Sequence, residues 1–242
     1  MRGVCAVPAA GTHRELRSSM KVVSTYFIAA SALLCAATLH AGTNNFVVPE
    51  FRGTANSEAG YWESFTVAHG APGNLADKAG ATTGAILTQN GSAGSFITGT
   101  GNIYDFSDGI QAFQLTDATP FSLGTVVLQT RTLGSELDYS SVTLSYSDGF
   151  GTHSLAPVSR LELDRGTTLG ASVSSLYQWN LTGLAVNEYS ISFHGAGPSV
   201  SFDAMTLDTW NQYALVVPEP STYALLGLGG VMLGWRTLRR RR

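Results

Sequence analysis

Residues 141–146 read Ser-Val-Thr-Leu-Ser-Tyr, with Val142, Leu144 and Tyr146 on one phase and Ser141, Thr143 and Ser145 on the other. Residues 188–193 repeat the pattern, setting Tyr189, Ile191 and Phe193 against Ser190 and Ser192. A period of two is the mark of a half-buried strand. Residues 125–130, TVVLQT, are apolar on both phases and predict a more deeply buried strand. Shorter runs of the same kind are YWESFTV, GAILTQ, SFIT, NIYDF, QAFQL, RLEL, LYQW and VSFDAMTL. Turn-forming residues separate them: Asn90-Gly91, Asp108-Gly109, Asp148-Gly149 and the glycines at 99 and 101. A helical period is sustained nowhere in this stretch, beyond at most one turn near residues 74–79. Roughly ten short strands spaced about 10–15 residues apart predict an all-β chain, an antiparallel β-sandwich of jelly-roll type, over residues 42–210.

Both ends depart from this pattern. Met20-Lys21 precedes an apolar run over residues 22–39, and small residues follow it up to Ala41. Charge, apolar core and small-residue site in that order make a secretory signal peptide over residues 20–41, expected to be helical and cut after Ala41 by signal peptidase once the Sec translocon has engaged it. Leu33-Leu34 ahead of Cys35 does not fit the small residue that a lipoprotein cut requires. Residues 1–19 do not read as a folded element; the expected start is Met20, and the stretch before it a mis-assigned leader. The two cysteines, Cys5 and Cys35, both fall ahead of residue 42, so the exported body has no thiol and no disulfide framework.

Residues 211–217 read as a linker. Residues 218–242 then run Pro218-Glu219-Pro220-Ser221, an apolar stretch, and Arg236 with Arg239, Arg240, Arg241 and Arg242. As a helix, residues 222–238 would span about 25 Å at ~1.5 Å per residue, close to a ~30 Å hydrocarbon core. Tyr223 and Trp235 stand near its two ends, where amphipathic rings favour the interface, and the arginines are expected to stay on the cytoplasmic side. The prediction is a single transmembrane helix with the body outside. Triplet, apolar helix and basic end in this order resemble the PEP-CTERM sorting signal. The resemblance implies recognition by an exosortase, a membrane-embedded protease of Gram-negative bacteria, with cleavage at or near Pro218-Glu219-Pro220-Ser221. It further implies that the inner-membrane precursor passes on to the cell surface or an exopolysaccharide matrix. The segments FRGTANSEAGYWESF and SVSFDAMTLDTW resemble the β-sandwich bodies that PEP-CTERM proteins often carry, and such sandwiches are similar in outline to carbohydrate-binding modules.

Charge narrows the partners. The whole chain carries −3, but residues 42–217 hold five basic residues against fifteen acids, a net −10. Such a surface repels phosphate backbones, so nucleic acid is excluded as a partner. No G-x-S-x-G elbow, P-loop or H-E-x-x-H spacing occurs, and His69, His153 and His194 read as surface histidines. No enzyme activity and no cofactor are expected. Asp105 and Asp108 in YDFSDG are candidate calcium ligands, being hard oxygen donors at close spacing, against the favoured reading that they make the turn. Polysaccharide binding would need exposed rings; Trp62, Trp179 and Tyr177 are the candidates for stacking on sugar, with Tyr61 and Trp210 beside them, and core packing is the competing role for each. The chain is thus expected to be an exported structural or adhesive protein of the surface or matrix, with a carbohydrate-binding module as the alternative.

Overall fold

The computed structural model describes residues 44–167 and 171–216. The leader at 1–19, the signal peptide at 20–41 and the sorting segment at 218–242, with its triplet, rings and arginines, lie outside the described residues.

Among the described residues thirteen strands follow one another: β1 (Ser57–Trp62), β2 (Asn74–Leu75), β3 (Ile86–Gln89), β4 (Phe96–Ile97), β5 (Ile103–Tyr104), β6 (Ala112–Ala118), β7 (Thr125–Gly134), β8 (Thr143–Ser147), β9 (Thr152–Leu155), β10 (Ser159–Gly166), β11 (Ala171–Asn180), β12 (Glu188–His194) and β13 (Val200–Trp210). Among the described residues the only helical element is a 3-10 turn, Tyr139–Ser141, whose first turn is capped by the Asp138 side chain accepting from the Ser140 amide. No helix of the described residues is long and apolar enough to cross a membrane. The turn expected near residues 74–79 is instead the short strand β2. Asn74 explains the difference: its side chain accepts from the Thr66 and Val67 amides and donates to the Val67 carbonyl, so it folds a loop back on itself rather than starting a helix.

The strands form two antiparallel sheets. The larger runs β10–β11–β7–β13–β5–β4, with β1 also beside β13; the smaller runs β2–β3–β6–β12–β8–β9. The alternation read from the sequence holds strand by strand. On β12, Tyr189, Ile191 and Phe193 are buried while Glu188 and Ser192 are exposed. On β8, Leu144 and Tyr146 are buried. These residues meet Trp62, Val126, Leu128, Tyr177, Trp179, Met205 and Leu207 of the larger sheet in one continuous core. The two sheets thus share a single apolar layer, as a sandwich requires. The indole N–H of Trp62 reaches the Asn74 carbonyl at 3.0 Å and that of Trp179 the Leu155 carbonyl at 3.0 Å, so both rings are buried with their polar atom satisfied.

The larger sheet is also covered on its other face. In β7, β11 and β13 six or more consecutive residues are buried, on both phases. Gln129, Gln178, Thr206 and Asp208 lie on the phase away from the shared core, and all are buried. The flanking segments provide the cover. Gln129 accepts from the Val47 amide at 2.7 Å and donates to the Val47 carbonyl at 2.8 Å. Gln178 donates to the Ala214 carbonyl at 2.5 Å and accepts from the Val216 amide at 2.9 Å. Phe51 and Val216 pack with Val127 and Leu176 in a second apolar cluster, and Phe51 stacks on Trp210 at 5.3 Å. Residues 211–216, read as a linker, therefore run along the sheet, held also by Thr125. Asp208, fully buried, takes two bonds from the Arg52 guanidinium at 2.5 and 2.7 Å.

At the outer margin of this sheet, β10 pairs with β11 through a register shift between Glu162 and Asp164. Arg160, Glu162, Asp164 and Arg165 line that strand, and Arg165 bridges Glu136 and Glu162.

Arg52→Ala would leave the Asp208 carboxylate buried without its partner, at a cost of about 3 kcal/mol. Burial already pushes the Asp208 carboxyl up from its usual range, against the pull of Arg52. A carboxyl raised by folding holds its proton more tightly in the folded state, so stability falls as pH rises through its folded pKa. Losing Arg52 raises it further. Urea unfolding of the full chain should therefore show the Arg52→Ala penalty largest near neutral pH and shrinking on acidification. A penalty that grows in acid would contradict this assignment.

Candidate functional site: an exposed aromatic cluster

The aromatic residues singled out for sugar stacking lie in the core. Trp62, Trp179 and Tyr177 are fully buried, so protein already covers the ring faces a sugar would need. This corrects the stacking assignment; both tryptophans sit on the phase of β1 and β11 that faces the shared core. Tyr61 is half-buried with its ring edge-on to Phe46 at 6.0 Å, and Trp210 lies under Phe51.

A different set of rings reaches the surface. β4 and β5 form a hairpin in which Phe96 pairs with Tyr104 and Ile97 with Ile103. β5 is tied to β13 through Tyr104–Ser201 and Ile103–Phe202. Ile103 fills the core with Phe202, which places Tyr104 on the opposite phase, and Phe106, two residues on, joins it. Tyr104 and Phe106 meet edge to face at 4.7 Å, Phe96 and Phe106 stack at 5.2 Å, and Phe96 meets Tyr104 edge-on at 5.8 Å. Phe106 is 79% exposed, Phe96 37% and the neighbouring Ile110 49%. Tyr104 and Phe96 brace the Phe106 ring from two sides while much of it stays open to solvent.

The loop carrying Phe106 is knitted in place by hydroxyls. Asp105 is buried, and its carboxylate accepts from the Ser107 amide at 2.7 Å and the Ser107 hydroxyl at 2.8 Å. The Ser92 hydroxyl and these two Ser107 donors hold the Asp105 carboxyl below its usual range in spite of its burial. Ser92 and Ser107 face each other at 3.4 Å, and Ser107 also accepts from the Gly109 amide. Gln89 ties the facing β3–β4 loop through Ser92 and Ser95. The two loops approach so closely that a Cβ on Gly109 would stand 2.5 Å from the Ser92 hydroxyl, and one on Gly91 2.4 Å from the Ala112 amide.

Asp105 is thus spent on holding the turn, while Asp108 is exposed beside it. The structure does not converge the pair on a calcium site, and no group of three or more His, Cys, Asp or Glu gathers among the described residues. His153 pairs with Asp148 at 2.8 Å across a hairpin, and His194 stands 3.9 Å from Asp138.

A concave feature lies on the smaller sheet, an open cleft of about 520 Å³ lined by Thr116, Ser145, Ser147, Thr152, Glu188 and Ser190 among others. It offers hydroxyls in rows across β6, β12, β8 and β9. Asp117 at its floor is pushed up by burial, and its two oxygens accept from Tyr189 and Thr83, each at 3.0 Å. With both oxygens engaged, this carboxyl serves the packing of the sheet end. No exposed ring stands among the lining residues, since Tyr146 and Tyr189 are buried.

The hairpin cluster could be found from sequence only weakly. The Tyr-x-Phe spacing of NIYDF puts both rings on one phase, but so short a run does not tell which phase faces the core.

No curated protein matches the chain. Residues 216–242 match the PEP-CTERM protein-sorting motif. The triplet, apolar stretch and basic end named above fall within this match, whereas the β-rich body lies ahead of it. The chain therefore carries a PEP-CTERM sorting motif, the mark of an exported protein handled by an exosortase.

Proposed function

We propose that this chain is an exported surface or extracellular-matrix protein with a structural or adhesive role associated with exopolysaccharide. Its precursor is held in the inner membrane by residues 222–238 and its arginines, and an exosortase cuts it at or near Pro218–Ser221. The body is a jelly-roll-type sandwich and acts by binding rather than by catalysis. The observation that carries this reading is the sorting motif directly after a β-rich body of net charge −10. The pairing order supports the jelly roll: β1 closes on the last strand, β13, which lies next to β7 and so to β11, while β6, β12, β8 and β9 line up in the other sheet.

A second reading, a carbohydrate-binding module acting on extracellular polysaccharide, draws its support from the rings of Phe96, Tyr104 and Phe106. It differs from the first in making sugar recognition the purpose of the body.

Intact-mass measurement of the protein recovered from the envelope and the medium checks the handling. The expected species begins near residue 42 and ends within residues 218–221. Replacing Pro218-Glu219-Pro220 by three alanines should leave the full-length form in the membrane fraction. Finding the released protein with its arginines still attached, or the full chain in the cytosol, would overturn the reading.

A further inference from the structure

We infer that the Phe96–Tyr104–Phe106 cluster is a binding site for a neutral hexopyranose polysaccharide, with the open face of Phe106 as its stacking platform. The inference rests on the exopolysaccharide association proposed above and gives it a place on the molecule.

Four observations converge. Phe106 is 79% exposed, and unlike Phe150, which is 99% exposed on the β8–β9 turn, it stands packed with two other aromatic rings. The ring is preorganised: Phe96 stacks against it, Tyr104 meets it edge-on, and the Asp105–Ser107–Ser92 bonds fix the loop beneath it. A ring already held in place loses little freedom on binding. Its face carries the negative part of the ring quadrupole and suits the slightly positive C–H face of a pyranose. A polar group stands close by in the same loop: the exposed Asp108 supplies a carboxylate partner for sugar hydroxyls, which fixes orientation as in other ligand sites.

Charge selects among the occupants an apolar surface can take. A body at −10 repels uronate and phosphate polymers, anionic membrane surfaces and other copies of itself, most strongly at low salt. A neutral polymer escapes this repulsion and still offers the C–H faces that the ring needs. The hydroxyl-lined cleft on the smaller sheet has no exposed ring, so the stacking contribution belongs to the hairpin.

The test uses the full chain in detergent micelles, retained on insoluble cellulose and β-1,3-glucan, with alginate gel as the anionic comparison. Wild type should bind a neutral glucan and not alginate. Phe106→Ala and Phe106→Leu should each weaken binding by roughly tenfold or more, because leucine is apolar but has no ring face; Phe106→Trp should retain it. Phe150→Ala, at a ring 99% exposed on the β8–β9 turn, should bind as wild type does. Equal urea midpoints for all variants exclude misfolding as the cause. Absence of binding to both glucans overturns the inference, as does preference for alginate or equal binding by Phe106→Leu. A loss of concentration-dependent cross-linking in Phe106→Ala, with glucan binding unchanged, would assign the cluster to self-contact instead and also overturn it. None of these outcomes bears on where the chain is cut, so a failure here is distinguishable from a failure of the sorting reading.

Discussion

The larger sheet has two faces to bury, and a sandwich of two sheets covers only one of them. Everything distinctive in the described residues follows from how the second face is closed. Its central strands β7, β11 and β13 carry Gln129, Gln178, Thr206 and Asp208 on that face, all of them buried. Buried amides and carboxylates cost free energy unless they are bonded. Gln129 meets both backbone groups of Val47, Gln178 meets the carbonyl of Ala214 and the amide of Val216, and Asp208 receives Arg52. Each glutamine imitates a neighbouring strand with its side chain, so the two flanking segments dock without extending the ladder. The apolar contacts of Phe51 and Val216 complete the cover.

The hairpin that carries the exposed rings depends on the same frame at one remove. β5 is anchored by two residue pairs to β13, and Ile103 commits one phase of the hairpin to the core. The other phase is then obliged to face outward, taking Phe96 and Tyr104 with it. A neighbouring strand or loop laid over that phase would have turned the rings into ordinary core. None of the described residues does so, and the bonded Asp105 turn brings Phe106 in as a third ring instead.

Much of the strand content was legible because the period of two is a direct image of one-sided burial. β8, β12 and the doubly buried β7 stand where their patterns place them. What alternation does not encode is which side the core lies on when a run is short, and this is why Trp62, Trp179 and Tyr177 were open to two readings while Phe96, Tyr104 and Phe106 drew none. The polar phase of β11 and β13 misleads for a related reason. Gln178 and Asp208 look solvent-facing until residues far away in sequence, Ala214 and Arg52, cover them. Asn74 looked compatible with a helical turn because its choice of the Thr66 and Val67 amides is a tertiary matter. The sorting motif was legible in full because its three parts are contiguous and need no fold to be recognised.

The margin formed by β10 has a consequence for life at high local concentration. An unguarded edge invites further strands, and a protein crowded at a surface meets many copies of itself. Here a register break and a row of charged side chains, Arg160, Glu162, Asp164 and Arg165, interrupt the template, so the larger sheet is terminated on that side by its own chemistry. Molecules of this kind can be crowded together without that rim seeding a fibre.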